Sequence, residues 1–135
     1  MIFSAVKQQI EVNLQDRDTL LQAVNLRFAD KQGFALATIN LDHLVKLRSS
    51  ESFAKAYAAH DFVVADGNPI VWLSKLAKRP VSLVPGSDMV LPLAQAAANA
   101  GVPIALFGSS DSSLQAAATA MQERVQGLEV AATIA

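Results

Sequence analysis

Apolar and polar positions along this chain switch repeatedly between a helical and a strand period. Residues 18–28 place Leu20, Leu21, Val24 and Phe28 on one helical face, at spacings of one, three and four. Gly33 follows and is expected to stop that helix by taking a positive φ. An apolar run at 34–39 has the length of a strand. Residues 41–59 return to a helical pattern, broken near Ser49 and Ser50, and 62–65 form a second apolar strand. A short helix is expected over 68–77, with Pro69 in its first turn. A connector with two prolines covers 79–85. The helix over 87–100 turns Val90, Leu93, Ala94 and Ala97 inward, and Pro92 is expected to limit how early it begins. A third strand spans 102–107. The helix over 110–125 carries Leu114, Ala117, Ala118, Met121 and Val125 on one face, and a fourth strand spans 128–134. Residues 10–14 add an edge strand near the start.

Short, nearly continuous apolar strands separated by helices specify a parallel sheet covered on both faces. The fold class is therefore α/β, with a Rossmann-like parallel sheet, and residues 1–135 form part of one domain. The pattern stops in an apolar strand with no helix after it to cover it. The expectation is of a truncated chain, the N-terminal part of a single domain, or of one completed by another chain. The open edge of 128–134 also predicts self-association into a homo-oligomer.

Composition narrows the classes of function. Hydrophobic residues make up 52% of the 135 and charged residues 17%, which excludes a disordered chain. The net charge of -1 removes any bulk electrostatic case for nucleic acid or an anionic membrane. With no cysteine, disulfides and thiolate metal sites are excluded. His43 and His60 have no metal-ligand spacing, so no metal site is expected. No apolar run approaches the roughly 18 residues of a membrane span, and the first dozen residues lack a signal-peptide core. A soluble cytoplasmic protein is the expectation.

In open parallel sheets, ligands bind beyond the carboxyl ends of the strands. Thr38, Asn40, Asp42 and His43 follow the first strand; the hydroxyl and amide can orient sugar hydroxyls or a phosphate, or Asn40 or Asp42 can simply cap the next helix. Asp66-Gly67-Asn68-Pro69 follows the second. Asp66 emerges at the sheet rim, where a carboxylate can act as a general base, and Gly67 allows close approach of a ligand to the backbone. Asp-Gly is also an ordinary turn. Gly108-Ser109-Ser110-Asp111 opens a helix whose N–H groups favour an anion, although Ser110 can be a plain N-cap. Pro85-Gly86-Ser87-Asp88 can bring backbone amides to a substrate, or be a turn and cap.

Four of these segments occur in the order and spacing of a known family. Thr38-Ile39-Asn40-Leu41-Asp42-His43, Val64-Ala65-Asp66-Gly67, Pro85-Gly86-Ser87-Asp88 and Ile104-Ala105-Leu106-Phe107-Gly108 together resemble the WecG/TagA/CpsF glycosyltransferases, glycosyltransferase family 26. The wording of 66–73 and 83–88 is most similar to the GumM-like branch. The resemblance implies a hexosyltransferase-type enzyme, inverting and without a metal or other cofactor, that moves a sugar from a UDP-sugar to a polyprenyl-diphosphate-linked acceptor. It implies work at the cytoplasmic face of the membrane in exopolysaccharide or cell-surface polymer synthesis, with membrane contact through a basic C-terminal region not present here. It assigns Asp66 as the catalytic base and Thr38, Asn40, Gly67, Asn68, Gly86, Ser87, Asp88 and Gly108 to substrate binding. Many relatives carry an arginine in an Arg-Val-Ala-Gly run where Leu83, Val84, Pro85 and Gly86 stand here, so that cation is absent. A non-catalytic nucleotide- or sugar-binding α/β module, or an inactive fragment, is the alternative.

Overall fold

The computed structural model describes residues 1–5 and 8–135. The order is β1 (Ile2–Ala5), β2 (Gln8–Glu11), α1 (Arg17–Ala29), β3 (Leu36–Ile39), α2 (Leu41–Ser49), α3 (Glu51–Ala58), β4 (Phe62–Ala65), α4 (Asn68–Leu76), α5 (Gly86–Asn99), β5 (Ile104–Phe107), α6 (Asp111–Arg124) and β6 (Val130–Ile134). The α/β class holds. The strands pair two by two: β3 with β4 and β5 with β6 in parallel, β1 with β2 antiparallel. The chain divides into two compact units, 1–22 with 33–87, and 23–32 with 88–135.

The first unit is built on β4. All four of its residues are buried, as its unbroken apolar run requires of a strand covered on both faces. Ile39, Val63, Ala65, Leu47, Tyr57 and Ile70 belong to one core cluster that also takes in Ile10 and Val12. The edge strand expected at 10–14 is instead the second arm of a hairpin, with Ile2 opposite Glu11 and Ala5 opposite Gln8. Asn13 makes backbone and side-chain hydrogen bonds to β4. Its N–H donates to the Val63 carbonyl at 3.2 Å, and its side chain accepts from Val63 N–H at 2.9 Å. A polar residue two positions past β2 thus satisfies groups on β4 that a full strand would otherwise pair.

The break near Ser49 and Ser50 is a true helix boundary. Ser50 closes α2 through its N–H and caps α3 by accepting from Phe53 N–H. Glycine is not what ends α1. Lys31 takes the left-handed conformation at φ 53°, and Gln32 N–H closes the helix on the Arg27 carbonyl at 2.9 Å. The same closure recurs at Lys78, with Arg79 N–H on the Ser74 carbonyl, and at Gly101, with Val102 N–H on the Ala97 carbonyl. The six-to-one hydrogen bond fixes the turn, so lysine is carried into a region that costs it roughly 1 kcal/mol.

In the second unit, Ala94, Val125 and Leu128 form the core, with Ile104, Met121 and Val130 against it. On β5, Ile104 and Leu106 are half-buried while Ala105 and Phe107 are exposed, so this pair has one covered and one open face. Helix α5 starts at Gly86 and runs through Pro92. The proline is near enough to the helix start that it removes one early backbone bond without ending the helix. Met89 takes the buried position expected of Val90, which is exposed, and Ala117 of α6 is likewise exposed while Leu114 and Ala118 are buried.

The connector from α4 to α5 is what brings Gly86 to β4. Ser74, fully buried, donates from Oγ to the Val71 carbonyl at 2.7 Å and accepts from Val81 N–H at 3.1 Å. Ser82 N–H donates to the Gln15 carbonyl and Val84 N–H to the Ala65 carbonyl at 2.7 Å. Replacing Ser74 by Ala leaves the Val81 N–H buried without a partner. The expected loss is about 1–3 kcal/mol, read by urea unfolding with an unchanged slope; a variant as stable as the parent contradicts the role given to Ser74.

Candidate functional site

Parallel strands β3 and β4 run in register, Thr38 beside Val64 and Ile39 beside Ala65, so the residues after them leave the sheet at one end. Asp66 N–H still donates to the Ile39 carbonyl at 2.8 Å, which holds the first residue beyond β4 in line with the strand. Its side chain is half-buried at the rim. One carboxylate oxygen, Oδ2, accepts from Gly86 N–H at 3.1 Å, the first N–H of α5. A negative group at a helix start is favoured by the dipole and by the unpaired amides there.

Gly86 is where three groups meet. A Cβ on it would lie 3.3 Å from Thr38 Oγ1, 3.4 Å from Thr38 Cγ2 and 3.5 Å from Asp66 Oδ2. The absence of a side chain is thus what lets the Thr38 hydroxyl, the Asp66 carboxylate and the connector backbone come together. Gly67 has φ 123° and ψ 140°, a conformation closed to side chains, and stands as the N-cap of α4 without a side-chain cap. A Cβ there would lie 4.0 Å from Asn40 Cβ, which puts Asn40 beside this turn.

Thr38, Asn40, Asp66, Gly67 and Gly86 therefore converge at one rim, where α2, α4 and α5 all begin. Asn40 is committed as the cap of α2, its Oδ1 accepting from His43 N–H at 2.9 Å. Asp42 pairs with Lys46 at 2.7 Å in solvent, and that hydrogen bond holds its carboxyl below the usual carboxylate range. Asn68 and Ser87 are exposed in the first turns of α4 and α5. Asp88 is exposed as well and falls in the second unit, as does Gly108. There Gly108 takes φ 97° and its N–H donates to the Ile134 carbonyl at 2.8 Å. Ser110 caps α6 by accepting from Ser113 N–H. An apolar groove of about 430 Å³ in the first unit, lined by Phe3, Leu41, Val45 and Leu73 among others, does not include Asp66.

A model of the glycosyl transferase WecG/TagA/CpsF family matches residues 7–135. The chain belongs to the WecG/TagA/CpsF glycosyltransferase family. Among curated proteins no match is found. Membership makes this a glycosyltransferase sequence, whose substrates are in general terms a sugar donor and an acceptor. The rim around Asp66 is thereby the candidate site of a WecG/TagA/CpsF chain, and three of the four segments that carry the resemblance, 38–43, 64–67 and 85–88, supply residues to it.

Two residues lie behind the rim, and one of them, Tyr57, escaped the sequence. Tyr57 of α3, 5% exposed, donates its hydroxyl to the Thr38 carbonyl at 3.1 Å. His43 Nδ1 lies 2.9 Å from the same hydroxyl. The available signal was that Tyr57 is the only tyrosine in the chain, on the buried face of a short helix.

Burial first, and the charge of Asp66 second, push the Tyr57 phenol up to about 12. The folded chain holds this proton more tightly than the unfolded one, whose phenol titrates near 10. The associated stability is complete below about 10 and is lost as pH rises toward 12. Near-ultraviolet absorbance of the sole tyrosine should show phenolate only at the upper end of that window, and Asp66→Asn should bring the midpoint down. A midpoint near 10 in the folded protein contradicts this burial. At Gly86, the variant Gly86→Ala should fold yet lose about tenfold in kcat/KM, since Thr38 or Asp66 must shift by a few tenths of an ångström to admit the methyl group. Parent-like activity would show that this close approach is immaterial.

Proposed function

We propose that this WecG/TagA/CpsF chain transfers a sugar from a UDP-sugar to a polyprenyl-diphosphate-linked acceptor with inversion, Asp66 acting as general base. The supporting observation is the Asp66 carboxylate, at the sheet rim, anchored through one oxygen to Gly86 N–H and flanked by Thr38. An anchored Oδ2 fixes the orientation of the group, and Oδ1 is the oxygen that takes the proton of the acceptor hydroxyl. As that hydroxyl oxygen bonds to the anomeric carbon, the bond to UDP breaks, and the leaving diphosphate needs its charge met. N–H groups at the starts of α4 and α5 are suited to that task without a metal. In this reading Thr38, Asn40, Gly67, Asn68, Gly86 and Ser87 surround the substrates, and the family resemblance assigns Asp88 and Gly108 to substrate binding as well. The enzyme works at the cytoplasmic membrane face, on exopolysaccharide or another surface polymer.

The Gly86 hydrogen bond also favours a second reading, in which Asp66 only caps α5 and the chain binds a nucleotide or sugar without catalysis. Asparagine separates the two, because its amide oxygen can accept from Gly86 N–H while its basicity is gone. In the full-length protein, with a panel of UDP-sugars and a short-chain polyprenyl-diphosphate-linked sugar as acceptor, Asp66→Asn should lower kcat by at least about 100-fold with little change in donor KM. Unchanged turnover in that variant removes Asp66 from the mechanism and leaves the capping role.

A further inference from the structure

The end of β3 and the turn into α2 carry Thr38 and Asn40, and the backbone there is tied down from the side away from β4. Along β3 the carbonyls alternate in direction. Those of Ala35 and Ile39 face β4, accepting from Asp61 and Phe62 N–H and from Asp66 N–H. The Thr38 carbonyl faces the other way, where no strand is paired among the described residues. The Tyr57 hydroxyl donates to it at 3.1 Å. A buried carbonyl without such a donor would carry a desolvation penalty, so the phenol takes the place of a missing strand.

The hydroxyl has one proton, and the carbonyl can only accept. With that proton committed to Thr38, the 2.9 Å contact between Tyr57 Oη and His43 Nδ1 requires the imidazole to donate. His43 thus carries a hydrogen on Nδ1, the form that free neutral histidine disfavours. Its backbone N–H meanwhile donates to Asn40 Oδ1 at 2.9 Å. One residue therefore holds the turn at both ends, at Asn40 directly and at Thr38 through Tyr57. Three rings keep the geometry: His43 lies edge-on to Phe53 and Tyr57 at 5.9 and 5.7 Å, and Phe53 and Tyr57 lie 5.4 Å apart. Such pairs have the tilted arrangement that aromatic quadrupoles favour.

We propose that Tyr57 and His43 are positioning residues, a clamp that sets the β3–α2 turn so that the Thr38 side chain stays against Gly86 and beside the Asp66 carboxylate. This rests on the reading of Asp66 and Thr38 as the reacting rim. The clamp touches no substrate. Its effect is to remove the freedom of Thr38 to move away from Gly86, where a displacement of tenths of an ångström changes the pocket in which the acceptor hydroxyl must meet the base.

The test uses the full-length protein, the UDP-sugar panel and the short-chain lipid-linked acceptor. Tyr57→Phe and His43→Leu should lower kcat about five- to tenfold with donor KM nearly unchanged. His43→Asn, whose amide N–H can occupy the position of the ring Nδ1–H, should recover most of that loss, although it and His43→Leu lower the melting temperature alike. A merely structural role predicts the reverse: turnover per folded molecule equal in all three and equal to the parent. That result, alongside an inactive Asp66→Asn, overturns the clamp and spares the base; turnover surviving in Asp66→Asn overturns both. Independently of any variant's folding, nitrogen-15 spectra of histidine-labelled parent protein should show His43 protonated at Nδ1. A neutral ring protonated at Nε2 overturns the clamp.

Discussion

A single hydrogen bond, from Gly86 N–H to Asp66 Oδ2, is the constraint on which the rim depends. It joins the end of β4 to the start of α5 across twenty residues of sequence, and everything between them serves to make it short. Ser74 bends the connector back after α4, and Val84 runs beside Ala65 through a 2.7 Å backbone bond. The lack of a side chain at position 86 then lets Thr38 approach from the third side. Remove any one of these and the carboxylate is still on the chain, but it is no longer held among these neighbours.

The elements were legible because each has a local cause. Apolar spacing placed the six helices of the described residues to within a few positions, and Ser50 marked the α2–α3 boundary because a serine side chain can cap the helix that follows. What was not legible depends on partners distant in the chain. Nothing local says that β1 and β2 form a hairpin, that Asn13 rather than a strand pairs with Val63, or that Met89 rather than Val90 is the buried residue of α5. Gly33 looked like a helix stop because glycine has no Cβ, yet the closing hydrogen bond from Gln32 put the left-handed residue at Lys31. The order of motifs was enough to find the family. The capping readings were also right for Asn40 and Ser110, whose side chains accept at helix starts. A capping role and a place beside the site coexist at Asn40, because the residue after a strand end is both the start of a helix and the edge of a cleft.

Tyr57 illustrates the limit most clearly. As a sequence letter it is an aromatic on the inner face of a short helix, and core packing accounts for it. Its hydroxyl acquires meaning only when α3 is laid beside β3 and the Thr38 carbonyl is found pointing at it. Burial of a phenol is costly unless the oxygen is satisfied, and here it is satisfied twice, by Thr38 and by His43. The neutrality of that phenol matters as well. A phenolate behind Asp66 would set two negative charges against each other in a poorly solvated place, and the charge of Asp66 is one of the causes that keep the proton on Tyr57.

Leucine, valine and proline at 83–85 bear on the chemistry in the same physical way. At these three positions the chain brings apolar side chains, of which Val84 is buried and Leu83 exposed. In the proposed transfer, the charge on the departing UDP then falls to dipoles rather than to a cation at 83–85. Helix starts can meet it: α4 opens at Gly67, whose φ of 123° disfavours any side chain, and α5 opens at Gly86, where a Cβ would crowd Thr38 and Asp66. Backbone amides uncovered by Cβ atoms can approach a phosphate closely, and they need no reorganisation as the charge develops. The cost is that Oδ2 of Asp66 already occupies one of those amides, so base and leaving group must be served from different N–H groups of the same rim. In the proposed transfer, Gly86 N–H then serves the base, and the remaining N–H groups at the starts of α4 and α5 serve the diphosphate.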